Sequence, residues 1–414
     1  MPFKMPDHAT GKARPGPREI VALLALLMAL NAFAIDAMIP ALPALGDALG
    51  VADENRRQLV IVAYLFGFGS TQLVWGPLAD RFGRKPILSA GVVLYTLFAL
   101  LCGIARSFEL LVAARFAMGA SAAVTRVLVT AMVRDLFEGE EMARIMSLVF
   151  MVFMLVPVLA PTAGQGILLF GSWRLIFLLL AAYGLAMWVW SFRRLPETLH
   201  PEYRQPLDWR NIGSAIVEVL RDRLSLGYTL AMTAIFGALT AYIATIQQIV
   251  FDAFGAPKAI GLVFAAIAAP MALASWANSR VVGRCGLRRV GHWGGIAFAG
   301  IATFHAALAW IITEPLWLFV LLQSLVMMAF AFTSANFGTL AMTNMAPIAG
   351  TASSEQGVVG TIGGATIGLF IGQAFDGTAL PFLIGVAASG LAGLLFVVWT
   401  ERGTLLAGID TQTA

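Results

Sequence analysis

The chain has 414 residues, of which 59% are hydrophobic and only 12% are charged, and its mean hydropathy is +0.83. A soluble domain carries about 25% charged residues, so this composition excludes a soluble globular protein. The net charge of +4 suits an anionic partner in principle. The basic residues fall in short loops, however, which argues against nucleic-acid binding.

Apolar runs of about twenty residues recur along the chain, and a helix of that length crosses the hydrocarbon core of a bilayer. Backbone groups in lipid must be paired within helices or closed barrels, and long unbroken runs favour helices. We therefore predict an all-α membrane protein with twelve transmembrane helices in two six-helix bundles. The predicted spans are 19–43, 57–79, 86–105, 109–134, 141–170, 172–193, 224–251, 258–282, 289–312, 315–344, 350–374 and 378–400.

The first span contains Asp36, which we take as the one carboxylate well inside a predicted span. A charged group there costs about 2.5–3.5 kcal/mol on insertion scales and is a functional candidate by default. Because an acid removed from water favours its protonated form, Asp36 is suited to binding and releasing a proton. The alternative is that Asp36 is a structural partner of an arginine.

The turn between spans 2 and 3 combines glycines with a cluster of charges. The glycines permit a tight reversal, and the charges can form a network that favours one of two conformations. The alternative is a positively charged anchor with a tight turn. The residues predicted to form this conformational latch are Gly76, Asp80, Arg81, Gly83, Arg84 and Lys85.

Span 4 carries two arginines, Arg115 and Arg126, three helical turns apart and therefore on one face of the helix. Arginine keeps its proton in proteins, so we expect an electrostatic role, either on Asp36 or on another buried polar group. A purely structural hydrogen-bonding role is equally open for Arg126.

The central linker, 194–223, is the longest polar stretch. Within it Trp209, Ile212, Ile216, Val219 and Leu220 recur at helical spacing, which predicts an amphipathic helix on the membrane surface. The predicted layout is a cytoplasmic N-terminal tail (1–18), a six-helix bundle (19–193), the linker (194–223), a second six-helix bundle (224–401) and a cytoplasmic tail (402–414).

The distribution of lysine and arginine gives the orientation. Twenty of the 27 lie in the termini, the linker and the loops on the same side, five lie on the opposite side, and two lie within span 4. We therefore expect an inner-membrane protein, and the positive-inside rule places both of its termini in the cytoplasm. Residues 284–288 also repeat the pattern of 81–85 at an offset of 203, which indicates two parallel repeats.

Several strings resemble a known family. Residues 76–85 read G-P-L-A-D-R-F-G-R-K and resemble the G-x-L-A-D-R-x-G-R-K signature of the major facilitator superfamily. Residues 36–43, 115–122, 133–137 and 195–199 are similar to segments of its Bcr/CflA-type drug-resistance transporters. Residues 159–164 resemble the antiporter motif of helix 5, for which Pro157, Pro161 and Gly164 are the candidate residues.

This resemblance covers essentially the whole chain and implies an exporter of small amphipathic drugs that exchanges them for protons by alternating access. It also makes Arg115 part of the coupling machinery. Departures such as Gln165, Ala37 and Ile39 put the substrate in doubt more than the fold. The alternative is a proton-coupled transporter of an endogenous metabolite, and a channel or a membrane-bound sensor is a third class.

Candidate cavity residues are aromatic, flexible or polar side chains near mid-span, which suit varied ligands. They are Phe33, Met38, Tyr64, Phe68, Met154, Tyr242, Gln247 and Asn336. The sequence has no phosphate-binding loop and no metal-ligand cluster, so we expect no enzyme activity, metal or cofactor. The expected partners are a small-molecule substrate, protons and the lipid bilayer, and the expected state is a monomer.

Overall fold

A computed structural model describes residues 16–137, 139–200, 202, 204, 209–345 and 348–403. The described chain is helical, with α1 (Pro17–Asp36), α2 (Leu42–Ala48), α3 (Leu59–Phe82), α4 (Arg84–Ile104), α5 (Phe108–Leu136), α6 (Gly139–Phe170), α7 (Arg174–Arg194), α8 (Trp209–Arg221), α9 (Arg223–Gln248), α10 (Ile260–Cys285), α11 (Leu287–Ile311), α12 (Leu316–Ala341), α13 (Ala349–Gln373) and α14 (Leu380–Thr400). Short 3₁₀ turns cover Ile39–Ala41, Asn55–Gln58 and Pro257–Ala259, and a π-helical turn covers Ile249–Ala253. The predicted tails lie largely outside the described residues.

Twelve of the described helices have 20 residues or more, in agreement with the twelve predicted spans. Ten stretches of the described chain are long and apolar enough to cross a membrane, and they account for all of these helices except α6 and α13. In α6, Val156–Phe170 is the described apolar segment. In α13, seven glycines, Glu355 and Gln356 dilute the apolar content.

The chain divides into two compact units, Met1–Trp209 and Arg210–Ala414. In the first unit α1 packs on α5, α6 and α7, while α3 and α4 pack on α5, and α4 also packs on α7. In the second unit α9 packs on α12, α13 and α14, while α10 and α11 pack on α12, and α11 also packs on α14. The pairing of helices is therefore the same in both units, as two repeats of one six-helix motif require.

Sequence-encoded signals set the ends of several helices. Ser107 caps α5 by accepting a hydrogen bond from the backbone N–H of Leu110 (3.2 Å), and Asp222 caps α9 through Ser225 (2.7 Å). Helices α3 and α10 each end at a glycine with positive φ, +102° at Gly83 and +82° at Gly286. These two glycines allow the reversals into α4 and α11 that a side chain would strain.

The first predicted span is not one continuous helix. Helix α1 stops at Asp36, and the chain passes through the 3₁₀ turn Ile39–Ala41 before α2 begins at Leu42. Pro40 and Pro43 lie in this segment, and proline lacks the backbone N–H that a continuous helix needs. Asp36 therefore ends a helix rather than lying within one.

The linker contains helix α8, Trp209–Arg221, in the region where an amphipathic helix is predicted. Its Val219 is buried in a small cluster with Met345 and Ala352, whereas Val217 and Leu220 are exposed. Val219 thus packs against the second unit instead of sharing the membrane-facing surface predicted for it. The side chains of Trp209 and Ile212 lie outside the described residues.

Candidate functional site

Asp36 is a buried acid at the break that follows α1. Only 4% of its surface is exposed. Within the described part of the chain no hydrogen bond or ion pair engages its carboxyl group. A buried carboxyl without a partner is costly in its charged form, so this side chain is well placed to hold a proton.

Helix α6 approaches this break closely at Gly164, the glycine of the predicted antiporter motif. A Cβ atom added to Gly164 would lie 2.1 Å from the carbonyl oxygen of Ala37, the residue after Asp36. Only a residue without a side chain permits this contact. Two prolines of the same motif, Pro157 and Pro161, lie inside α6, where each removes one helical hydrogen bond. The motif residues are therefore part of the helix that covers the α1 break.

Arg115 of α5 is completely buried but does not pair with Asp36. Its Nε donates to the carbonyl oxygen of Val60 (2.9 Å), and its Nη1 donates to that of Ala34 (3.0 Å). The guanidinium lies over the ring of Tyr64, 4.5 Å from its centroid. Arg115 thus holds the backbone of the last turn of α1, two residues before Asp36.

Arg126 lies in a different environment, although helical geometry puts it on the same face of α5. Its side chain is exposed, and no salt bridge to it is formed among the described residues. An arginine near mid-span faces protein or water rather than lipid, because its desolvation is costly. The two arginines predicted on one face therefore differ. Arg115 is buried and hydrogen-bonded, whereas the side chain of Arg126 is exposed.

A buried polar network adjoins the Arg115 site and was not predicted. Tyr64 donates from its hydroxyl to the Asn31 side-chain oxygen (2.8 Å), and Asn31 donates to the Thr125 hydroxyl (2.8 Å). The network links α3, α1 and α5. Asn31 lies inside an apolar run, five positions before Asp36. A polar residue within an apolar run is therefore the sequence signal that marks both residues.

The predicted latch residues form a charged network within the first unit. Arg84 is 7% exposed and contacts the carboxylates of Asp80 (2.7 Å) and Asp135 (3.2 Å). Glu197 accepts the backbone N–H groups of Arg84 (2.8 Å) and Lys85 (3.2 Å) at the start of α4. A carboxylate at a helix N-terminus is favourable.

The remaining latch residues contribute less to this network. Arg81 is exposed and lies over the ring of Phe82, and the Lys85 ammonium lies over that of Phe192. A Cβ atom on Gly76 would meet Val127 at an ordinary 3.8 Å, so no close approach requires this glycine. Asp135 and Glu197 belong to strings that the sequence analysis quoted, but their role as partners of Arg84 is visible only in the structure.

Comparison with known proteins explains this combination of a helix break, a close glycine contact and a charged turn. The family model for the Major Facilitator Superfamily matches residues 24–366. The chain belongs to the major facilitator superfamily. It is 30% identical over 380 residues to a bicyclomycin resistance protein homolog of Haemophilus influenzae, covering 91% of this chain and 94% of that protein.

Other relatives agree with this assignment. The multidrug transporter MdfA of Edwardsiella piscicida is 27% identical over 366 residues, with 86% of this chain and 87% of that protein covered. The crystal structure of a D-xylose-proton symporter superposes with a TM-score of 0.74 at 15% identity, covering 94% of this chain and 99% of the symporter. The predicted major facilitator fold and the resemblance to Bcr/CflA-type proteins are confirmed, and the chain is a multi-pass membrane transporter rather than an enzyme.

Most of the predicted cavity residues of this major facilitator protein are buried inside one of the two bundles. Tyr64 and Phe68 stack with their centroids 6.4 Å apart, Tyr242 packs on Phe264 at 5.2 Å, and the Asn336 side chain donates to Asn278 at 2.8 Å. Met38 and Gln247 are also buried, whereas Phe33 is half-buried against Tyr183. The side chain of Met154 lies outside the described residues. Their contact with a substrate stays a prediction.

The second copy of the superfamily turn lacks two of the four charges of the first. Gly283 and Leu287 stand at positions equivalent to Asp80 and Arg84. Glu401 instead accepts a hydrogen bond from the Tyr228 hydroxyl (2.6 Å) and lies 3.5 Å from Arg288. The buried arginine between two carboxylates that marks the first copy is therefore not repeated among the described residues of the second.

One expectation about carboxylates needs correction. The sequence predicts Asp36 as the one acid well inside a span, but Glu355 lies inside a long helix, α13, and only 5% of it is exposed. The residue was overlooked because it lies near the start of its span, where an acid is usually solvated.

Proposed function

We propose that this protein exports small amphipathic drugs out of the cell in exchange for protons. Two relatives with full-length similarity are named for bicyclomycin resistance and for multidrug transport. Apolar and aromatic residues dominate the predicted cavity positions, as expected for varied amphipathic ligands. The inner membrane with both termini in the cytoplasm remains the orientation favoured by the basic loops.

The observation that carries the proposal is the buried Asp36 carboxyl at a helix break. It has no counter-charge among the described residues, and α6 contacts the neighbouring Ala37 through Gly164. Binding of a proton neutralises Asp36 and removes the cost of keeping a charge there. Because the α1 break is not held by continuous helical hydrogen bonds, it is a natural place for a change of conformation.

The two arginines of α5 take separate roles in this proposal. Arg115 is a positioning residue, because it fixes the carbonyl of Ala34 in the last turn of α1. Arg126 is exposed, and because lipid is a costly environment for a guanidinium we assign it to a water-facing surface, where its charge acts on a drug or on the path of protons. Alternating access of the bundles 19–193 and 224–401 then exposes Asp36 to one side of the membrane at a time.

A drug-susceptibility test in a bacterium that lacks its main drug pumps examines the proposal. The panel includes bicyclomycin, ethidium and chloramphenicol, and the variants are the wild type, Asp36→Asn and Asp53→Asn. Asp53 is an exposed acid that accepts the Asn55 N–H, a contact that asparagine can keep. We expect resistance from the wild type and from Asp53→Asn, and loss of resistance with normal membrane expression from Asp36→Asn.

Everted membrane vesicles test the coupling itself. After respiration acidifies the lumen, ethidium added to wild-type vesicles should release part of the pH gradient, and Asp36→Asn vesicles should not respond. Transport by Asp36→Asn that a pH gradient still drives would contradict the role of Asp36. No change in susceptibility to any drug of the panel would instead favour a proton-coupled transporter of an endogenous metabolite.

A further inference from the structure

The second unit contains a buried acid that the proposed mechanism does not use. Glu355 is the seventh residue of α13, and 5% of its surface is exposed. Its Oε2 has no hydrogen-bond partner in the described part of the chain, and neither has Nε2 of the adjacent Gln356. Buried polar atoms are normally paired, so an acid left in this state needs an explanation.

Among the described residues of the second unit, the helices packed on α13 form no ion pair with Glu355. Helix α9 packs most extensively on α13 and carries Arg223, Tyr228 and Tyr242 as its charged or titratable groups. Arg223 donates to the carbonyl oxygen of Trp399 and lies over its ring, Tyr228 donates to Glu401, and Tyr242 packs on Phe264. Helix α14, which touches α13 only slightly, has no charged residue between Leu380 and Thr400.

The described side chains of the nearby linker also supply no counter-charge for Glu355. Helix α8 reaches the start of α13 through Val219, which packs with Ala352. Its charged residues in this region, Glu218 and Arg221, are exposed, and the neighbouring Asp222 is engaged with Ser225 and Asn344. No ion pair to Glu355 is formed among the described residues.

Glu355 and Asp36 occur in corresponding helix pairs of the two units, but at different positions, Asp36 at the end of α1 and Glu355 near the start of α13. Asp36 belongs to the helix pair α1 and α6, and Glu355 belongs to the corresponding pair α9 and α13. Among the described residues, each unit therefore has a buried acid without a hydrogen-bond or ion-pair partner in this pair of helices, although on opposite members of the pair. The burial of Glu355 leaves room for a proton but not for a drug molecule.

We propose that Glu355, held between α13 and α9, is a second proton-binding carboxyl of the transport cycle. The inference rests on the proposed proton exchange and extends it. A proton binds the carboxylate to give a neutral carboxylic acid, and its release restores the carboxylate. Exchange of one monovalent cation for two protons would move one net charge, so the membrane potential would add to the driving force.

Infrared spectroscopy of the purified protein in lipid tests proton binding without a substrate. Difference spectra between about pH 6 and about pH 9 report carboxyl groups that change protonation outside the usual range of glutamate. We expect a pH-dependent band of protonated carboxyl groups that loses the Glu355 contribution in Glu355→Gln, keeps that of Asp36, and is unchanged in Glu218→Gln, a matched change of an exposed acid in the same unit. An unaltered spectrum in Glu355→Gln would overturn the proposal.

Transport of ethidium, a monovalent cation, into proteoliposomes tests the role in the cycle. With two protons exchanged, the steady-state accumulation should change about tenfold for each ~60 mV of membrane potential. In Glu355→Gln the exchange should become electroneutral, so the pH gradient still drives transport but the potential no longer affects it. Glu355→Asp should restore part of the dependence, since it restores a carboxyl group.

The outcomes separate the two proposals. If a pH gradient drives the wild type, and Glu355→Gln shows the same dependence on the potential, the role of Glu355 is wrong and the exchange of drugs for protons stands. If a pH gradient does not drive the wild type, the proposed function itself fails. If Glu355→Gln does not fold, its melting temperature will be lower than that of the wild type. In that case the effects of the pH gradient and of the membrane potential on transport are compared between the wild type and Glu355→Asp.

Discussion

The α3–α4 turn of the first unit and the α10–α11 turn of the second share one backbone design. Each helix ends at a glycine with positive φ, Gly83 at +102° and Gly286 at +82°. Each turn also lies near a glutamate that follows the last helix of its unit. Glu197 accepts two backbone N–H groups of α4, whereas Glu401 accepts from Tyr228 and approaches Arg288 at 3.5 Å.

The charged side chains make the difference between the two turns. In the first turn Arg84 is buried between Asp80 and Asp135, so three segments of the unit meet at one cation. In the second turn Gly283 and Leu287 occupy the equivalent positions, and the pair of Arg288 with Glu401 is longer and more exposed. A repeated backbone can thus keep its shape while only one copy keeps the charge network that a conformational latch requires.

Replacing the two arginines should give the largest contrast between the turns. Arg84→Met leaves two carboxylates without their buried cation, and we expect it to cost about 3 kcal/mol of stability. Arg288→Met removes a partly exposed pair, and we expect it to cost less than about 1 kcal/mol. The melting temperatures of the purified variants in detergent measure both effects. Equal losses would mean that the first network contributes no more than the second.

Alanine at the two glycines should give a smaller contrast. Both positions have positive φ, which costs a residue with a side chain about 1 kcal/mol or more. At Gly83 the new Cβ would also lie 2.5 Å from Glu197 Oε2, whereas at Gly286 nothing lies within 4 Å. We therefore expect Gly83→Ala to cost about 2 kcal/mol and Gly286→Ala about 1 kcal/mol.

The same melting experiment in a Glu197→Ala background identifies the cause of that difference. Without the carboxylate, the cost of Gly83→Ala should fall towards that of Gly286→Ala, because only the backbone strain remains. A difference that persists in this background would show that Glu197 is not responsible for it.

Features that depend on sequence-local rules could be predicted. The twelve long helices follow from the apolar runs, and the turn at Gly83 follows from its motif. The break after Asp36 was missed because Pro40 and Pro43 were included in the apolar span, although proline cannot continue a helix without losing a hydrogen bond.

Features that depend on packing could not be predicted in the same way. Helical geometry puts Arg115 and Arg126 on one face of α5, but it does not tell which neighbours cover each of them. Tyr64 and the carbonyl groups of Val60 and Ala34 cover Arg115, whereas the side chain of Arg126 is exposed. Long-range partners such as Glu197, 113 residues from Arg84, likewise require the tertiary structure.

Installing the missing charges in the second turn should give the smallest effect and the sharpest test of the comparison. Gly283→Asp and Leu287→Arg together reproduce the four-residue spacing of Asp80 and Arg84, whose charged atoms are 2.7 Å apart. Such an exposed pair across a turn contributes about 0.5 kcal/mol. Gly283→Asp by itself also changes stability, because it removes a glycine from a helix. The energy of the ion pair is therefore measured as the coupling energy in a double-mutant cycle that includes both single variants. A coupling near zero would mean that the strength of the first turn lies in the third partner, Asp135, for which the second turn has no charged equivalent.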